Sequence, residues 1–241
     1  HIVVRRQRQM CIRDRSRIDL DAFMKTAVSS TEIIIPTIDT VRYTYLLQSA
    51  LERGVAAEGK GCSMSMPLLL VGPTGTGKSV YLQKALRALT PEEWAPPVNV
   101  NFSARTSANI TQTMIDIKLD KRRKGIYGPP PGKHAVIFID DLNMPQLETY
   151  GAQPPIELIR QFADHGGWYE GIAGDWTFRN MIDVILCSAM GPPGGGRNPV
   201  TGRFLRHFTV TGILEFAAPT LMTVFNSILT LGFENVSSTI K

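Results

Sequence analysis

Cysteine is scarce. Cys11, Cys62 and Cys187 lie far apart with no metal-ligand spacing, which predicts reduced thiols in the cytoplasm rather than a disulfide or zinc framework. His134, His165 and His207 show no metal spacing either. No apolar run approaches the roughly 20 residues of a membrane span, and no secretory signal is visible. The expectation is a chain without a membrane partner. Internal repeats are also absent, and with 43% hydrophobic residues over 241 positions there is material for one or two packed domains.

One-sided charge is missing from most of the chain, although the net value is +5. Arg5, Arg6, Arg8, Arg13, Arg15 and Arg17 stand against Asp14 alone in residues 1–17, a net of +5, so the remainder holds 20 basic and 20 acidic side chains. A basic arm is one reading. The plainer one is that RRQRQMCIRDRS resembles translated adapter sequence, so residues 1–17 are set aside as disordered or foreign. Without them the case for a nucleic-acid partner disappears.

What is present centres on Leu68 to Ser79, LLLVGPTGTGKS. A short apolar run precedes Gly72, Pro73, Thr74, Gly75, Thr76, Gly77, Lys78 and Ser79, which fit G-x-x-x-x-G-K-[ST], and a helical pattern follows. Glycines let the backbone N–H groups face inward as an anion nest at a helix N-terminus. Lys78 is placed to reach β- and γ-phosphates, and Ser79 to coordinate Mg²⁺.

Before this loop, Thr37 or Asp39 is placed to cap a helix through VRYTYLLQSALERG, with Gly54 as its stop. After it, Val98 to Ala104 alternates as a strand. Thr106 or Ser107 then caps a helix expected to run to the basic cluster Lys121 to Lys124, and GIYGPPPGK reads as a hairpin tip. AVIFID and MIDVILCSAM are buried strands, and PPIELIRQFADHG is a helix begun by proline and stopped by glycine. Two short strands about a glycine turn are expected in GGWYEGIAGDWTFRN, and a helix in APTLMTVFNSILTLGF. Strands alternating with helices predict a three-layer α/β domain with a mostly parallel sheet, the phosphate loop at the strands' carboxyl ends.

A phosphate loop needs a second acid to hold Mg²⁺, and Asp140 ends the buried run VIFID. Asp141 is the candidate to polarise an attacking water. Both also suit loop capping. Arg203 and Arg206, spaced i, i+3, share a face if helical; their forks suit a γ-phosphate, and a pair of surface salt bridges is an equally open reading. A GTPase would need Asn/Thr-Lys-x-Asp after a strand, and Ile117-Lys118-Leu119-Asp120 lacks it. No arginine-rich kinase lid is evident.

Taken in order, IIIPTIDTVRYTYLL, GPTGTGKS, NFSARTSANITQTMIDIKLDKRRKGIYGPPPGK, VIFIDDLNMP, YGAQPPIELIRQF and AMGPPGGGRNPVTGRFLRHF resemble the third AAA+ module of an axonemal dynein heavy chain, from about Ile33 onward. The resemblance implies a P-loop NTPase large subdomain over residues 18–216 and the beginning of a small helical lid over 217–241. It implies ATP or ADP with Mg²⁺ as ligands, and an ATP-binding regulatory module that hydrolyses slowly, within a motor working on microtubules in the axoneme of cilia and flagella. The alternative is a structural module that holds nucleotide without turnover. Implied partners are neighbouring AAA+ modules and, through the whole motor, intermediate and light chains and microtubules.

By the same resemblance Ile34, Ile35, Pro36 and Thr37 pass the adenine, Asp140 is the Walker B acid, and Arg203 and Arg206 are arginine fingers serving a neighbouring module's nucleotide. Two departures stand out. Asp141 replaces the usual glutamate, and Gly191 falls where a polar sensor, usually asparagine, is expected. Asn143 or Asn198 is a candidate substitute.

Overall fold

A computed structural model describes residues 35, 37–57, 67–172 and 175–239. Residues 1–17, Ile34 and Pro36 therefore lie outside the described residues. The chain divides into two compact units. One runs from Ile38 to Glu215; the other holds the described residues Ile35, Thr37 and Phe216 onward.

The larger unit is built on a five-stranded parallel sheet, consistent with a P-loop NTPase fold. Its strands are β1 (Leu68–Val71), β2 (Val98–Asn101), β5 (Ala135–Asp140), β8 (Val184–Met190) and β9 (Thr209–Gly212), in the order β2-β5-β8-β1-β9. Leaving β1 the chain crosses three positions to β2, then steps back through β5 to β8. With right-handed crossovers, that reversal puts the connecting helices on opposite faces. Strands covered on both faces read as continuous apolar runs, which is why VIFI and VILCSAM are buried throughout.

On one face Leu69, Ile137, Ile139 and Leu186 join Ile115, Ile156, Ile159 and Phe162 in a single apolar cluster. The last four come from helices α3 (Ala108–Asp116) and α4 (Pro154–His165), which pack on each other. The alternate residues Leu68, Leu70, Val136, Phe138, Ile185 and Cys187 are equally buried and point the other way. Helices α1 (Ile38–Ala57) and α2 (Lys78–Arg87) also pack together, burying Leu47, Leu51, Leu82 and Leu86. Burial pushes the Cys187 thiol up to about 12, so it is an inert core residue.

A second, four-stranded sheet combines two hairpins, β3 (Asp120–Arg123) with β4 (Ile126–Gly128) and β6 (Gly167–Ile172) with β7 (Asp175–Met181), in the order β3-β4-β7-β6. Arg179 ties it to α3 through Asp116 at 3.0 Å and lies 4.5 Å over the Tyr127 ring. Gly167 starts β6 where a Cβ would come 1.9 Å from the Arg179 carbonyl oxygen. Gly167→Ala is therefore expected to destabilise the chain by about 1–3 kcal/mol, the usual cost of overpacking. Gly202, with no atom within 4 Å of a Cβ, supplies the control: Gly202→Ala should stay within about 0.5 kcal/mol. Denaturant unfolding of both variants checks this; equal midpoints would contradict it.

Three sequence expectations are corrected. The basic cluster Lys121 to Lys124 is not a helix end: α3 stops at Asp116 and residues 120–123 form β3. Gly125, at φ 76°, turns the chain into the hairpin, while Arg122 turns inward to pair with Asp183 and donates to the Pro129 carbonyl at 2.7 Å. The strand expected over 98–104 ends at Asn101, because Ser103 and Thr106 close a turn, the Ser103 N–H donating to Thr106 Oγ1 at 2.9 Å. Of the two cap candidates for α3, Ser107 is the one used; its Oγ accepts from Ile110 N at 3.3 Å. Helix α1 passes through Gly54 to Ala57, since a lone glycine inside a helix costs only about 1 kcal/mol.

Within the larger unit, α5 (Gly202–Leu205) is one short turn before β9. In the other unit, α6 (Ala218–Thr239) is a regular helix whose Thr223, Ser227 and Thr230 hydroxyls each donate to the carbonyl four residues earlier at 2.8–2.9 Å. Among the described residues no helix is long and apolar enough to cross a membrane.

Candidate nucleotide site

The phosphate loop is anchored at its base. Gly72 N donates to Met190 O at 3.2 Å, and Ile213 N donates to Val71 O at 2.7 Å, so β8 and the end of β9 hold it from both sides. A Cβ at Gly72 would lie 2.4 Å from the Ile213 carbonyl oxygen; glycine is required there. The loop then turns at Gly75 (φ 83°) and Gly77 (φ 79°), left-handed conformations that favour glycine. Gly77 is the N-cap of α2 and brings no side-chain cap, leaving the helix's first N–H groups without a side-chain acceptor, as an anion site requires.

Lys78 opens α2. Its Nζ donates to Pro73 O at 2.6 Å and to Thr76 Oγ1 at 3.4 Å, while Thr76 Oγ1 donates to Pro73 O at 2.8 Å. Burial holds the Lys78 ammonium below the ordinary lysine range; the nearby Arg197 charge acts the same way, and Asp140 and Asp141 oppose it. Ser79 follows as the second residue of α2, half-buried.

Asp140 closes β5, and its Oδ1 accepts from Asp141 N at 3.0 Å. Asp141 takes a left-handed backbone (φ 50°), tolerated better by aspartate than by most residues. A tight turn follows, with Met144 N on Asp141 O at 3.0 Å and Leu142 N on Ala189 O at 3.1 Å.

The third wall is the loop after β8. Gly194, Gly195 and Gly196 have φ of 116°, 59° and 86°, and Gly194 and Arg197 exchange backbone bonds of 3.1 Å. This fold-back delivers Arg197 to the site. Its Nη1 donates to Thr74 Oγ1 at 3.1 Å and its Nη2 to Asp141 Oδ1 at 3.2 Å.

Of the residues singled out from sequence, the phosphate loop, Asp140 and Asp141 come together. Ile35 and Thr37 belong to the other unit. Arg203 and Arg206 do not join the loop by any hydrogen bond among the described residues. Arg203 Nη2 pairs with Glu157 Oε1 and Arg206 Nη2 with Asp164 Oδ1, each at 2.7 Å, on the surface against α4. The two arginines do share a face: Arg206 is the C-cap of α5, its N–H donates to Gly202 O at 3.1 Å, and both guanidiniums meet acids of α4. Burial tends to raise both acids, but the hydrogen-bonded arginines outweigh it and leave Glu157 and Asp164 below the usual carboxylate range.

Asn143 and Asn198 are braces: Asn143 Nδ2 donates to Gly191 O at 2.8 Å and Asn198 Nδ2 to Pro145 O at 2.7 Å. The residue that bonds to both Thr74 and Asp141 is Arg197, which the sequence reading passed over. The signal available was three glycines and an arginine shortly after a buried strand.

These residues fit a phosphate chain with Mg²⁺. The helix N-terminus and two cations suit the anion, and Asp140 suits a hydrated metal. Among the described residues no three His, Cys, Asp or Glu side chains gather to hold a metal alone; Mg²⁺ bound largely through phosphates and waters needs no such cage.

Residues 23–216 match the profile of the family described as P-loop containing dynein motor region. The chain is 53% identical over 198 residues to dynein axonemal heavy chain 12 of Mus musculus, covering 82% of this chain and 6% of that one. It is 49% identical over 199 residues to human dynein axonemal heavy chain 3, covering 83% and 4%. To mouse dynein axonemal heavy chain 1 it is 50% identical over 198 residues, covering 82% and 4%. The chain thus spans about one-twentieth of the length of these relatives.

Proposed function

The chain belongs to the dynein motor-region family of P-loop proteins, and on that premise we propose that it is the third AAA+ module of an axonemal dynein heavy chain, binding ATP or ADP with Mg²⁺ and hydrolysing ATP slowly to regulate the motor. The observation that carries this reading is the phosphate loop itself: left-handed Gly75 and Gly77, an uncapped α2 N-terminus and Lys78, held beside Asp140.

In this reading Lys78 and the loop N–H groups bind the phosphates, Ser79 and Asp140 hold Mg²⁺, and Asp141 orients water. A bound triphosphate supplies a phosphoanhydride whose hydrolysis is favourable; the chain contributes position and charge. Ile34 to Thr37 would pass the adenine, and residues 217–241 would begin the lid. The module would act with neighbouring AAA+ modules, and through the motor with intermediate and light chains and microtubules in the axoneme of a cilium or flagellum.

A second reading, nucleotide held as a structural part without turnover, is favoured by Asp141, one methylene shorter than glutamate. Exchange separates the two. In heavy chains whose other phosphate-loop lysines are changed to alanine, labelled ATP should replace the bound nucleotide and be converted to ADP. Label that never enters would leave only the structural role.

Arg203 and Arg206 would serve the nucleotide of an adjacent module. Arg203→Ala is expected to change this module's own nucleotide affinity by less than about twofold, since its fork is turned onto Glu157 and exposed ion pairs contribute little. Calorimetry on the same heavy chain checks it. A tenfold loss would mean that Arg203 acts in cis.

A further inference from the structure

We propose that Arg197 is a second phosphate-binding cation of this module's own site, specific for the terminal phosphate of a triphosphate, and that the absent side chain at Gly191 is what admits it. The inference rests on the nucleotide-site reading above.

The guanidinium bridges two walls of the site, Thr74 at the crest of the phosphate loop and Asp141 beyond β5. Its third nitrogen, Nε, is buried and makes no hydrogen bond among the described residues. That edge lies over Gly191, where a Cβ would come 2.6 Å from Nη1 and 2.7 Å from Cζ and Nε. Any L side chain at 191 would displace the guanidinium. The arginine thus takes the space that a polar side chain on the strand's end would fill, and it does so because three left-handed glycines fold the loop back.

Arg197 and Lys78 bring two positive charges to one loop, and the lysine feels the arginine as a charge that disfavours its own. An anion between them relieves that repulsion. Arg197 contacts Thr74 and Asp141, not the N-terminus of α2 where Lys78 stands, so the two cations address different parts of a phosphate chain. Asp141 is the water-side acid in the proposed function, which puts Arg197 at the terminal phosphate. A planar fork can donate to a phosphate with two N–H groups at once. It is also a positioning residue for Asp141, whose Oδ1 it holds at 3.2 Å.

The test uses the heavy chain in which the other phosphate-loop lysines are alanine, with Mg–ADP and a non-hydrolysable Mg–ATP analogue as calorimetric probes. Arg197→Ala should weaken the triphosphate analogue by about tenfold or more, the scale of one charge-assisted hydrogen bond. The same change should alter ADP binding by less than about twofold. Gly191→Ala, whose Cβ alone would meet the guanidinium and which brings no polar group of its own, should reproduce that selective loss with Arg197 still present, and adding Arg197→Ala to it should cost little more. If Arg197→Ala fails to fold, Gly191→Ala decides. Equal loss of both nucleotides, or no loss of either, overturns the proposal. Lys78→Ala, which should weaken both nucleotides, distinguishes a failure of this inference from a failure of the nucleotide site.

Discussion

Lys78→Ala is expected to weaken Mg–ATP and Mg–ADP binding at this site by about 10- to 150-fold while leaving the fold intact. The lysine supplies a charge-assisted contact worth about 1.5–3 kcal/mol, and each 1.4 kcal/mol is tenfold. The fold should survive because Lys78 is the first residue of α2, where alanine is the best helix former, and because its hydrogen bonds go to the loop it sits on. Removing a cation that burial and Arg197 already disfavour also relieves a cost in the unliganded chain. Calorimetry gives the affinities, and the thermal midpoint gives the fold. Unchanged affinity with an unchanged midpoint would mean that the loop binds no phosphate through this residue.

Asp141→Glu should raise ATP turnover at this site by up to about 10²-fold in the assembled motor, since a misplacement near 1 Å can cost that much. Asp141 stands on a left-handed residue immediately after the strand, and its side chain is drawn to Arg197. One more methylene extends the carboxylate beyond that contact toward the water it should orient. The left-handed backbone suits glutamate less well than aspartate, so a modest drop in stability should accompany the gain. Phosphate release from heavy chains with their other sites disabled measures it. Release unchanged from wild type would put the limit elsewhere, and Gly191 with Arg197 would be the place to look.

Much of the architecture could be read from residues alone, for physical reasons specific to each segment. LLLV, VIFI and VILCSAM sit in a sheet covered on both faces, so their burial is written as uninterrupted apolar runs. The phosphate loop carries its geometry in its glycines, and α4 carries its ends in Pro154 and Gly166. The basic run in β3 resisted the same treatment because DKRR has no apolar alternation and its pairing partner, β4, is only three residues long. What decides that segment is the tertiary pair between Arg122 and Asp183, which are 61 residues apart. For Arg203 and Arg206 the spacing indicated the shared face but not what it meets, the α4 acids Glu157 and Asp164 that hold the two arginines. Arg197 was invisible for a related reason. Its place depends on a loop of left-handed glycines closing over Gly191 and on Thr74, 123 positions away, and no periodicity records such a contact.

The most direct test of the account is a count of nucleotide. Intact heavy chains carrying this module, wild type and Lys78→Ala, would be purified, denatured, and their released nucleotides quantified per chain. The variant is expected to lose one equivalent of ATP plus ADP while its circular-dichroism spectrum is unchanged, with any fall in its thermal midpoint no larger than loss of the bound nucleotide explains. Equal counts in the two proteins would contradict the claim that residues 72–79 hold a nucleotide.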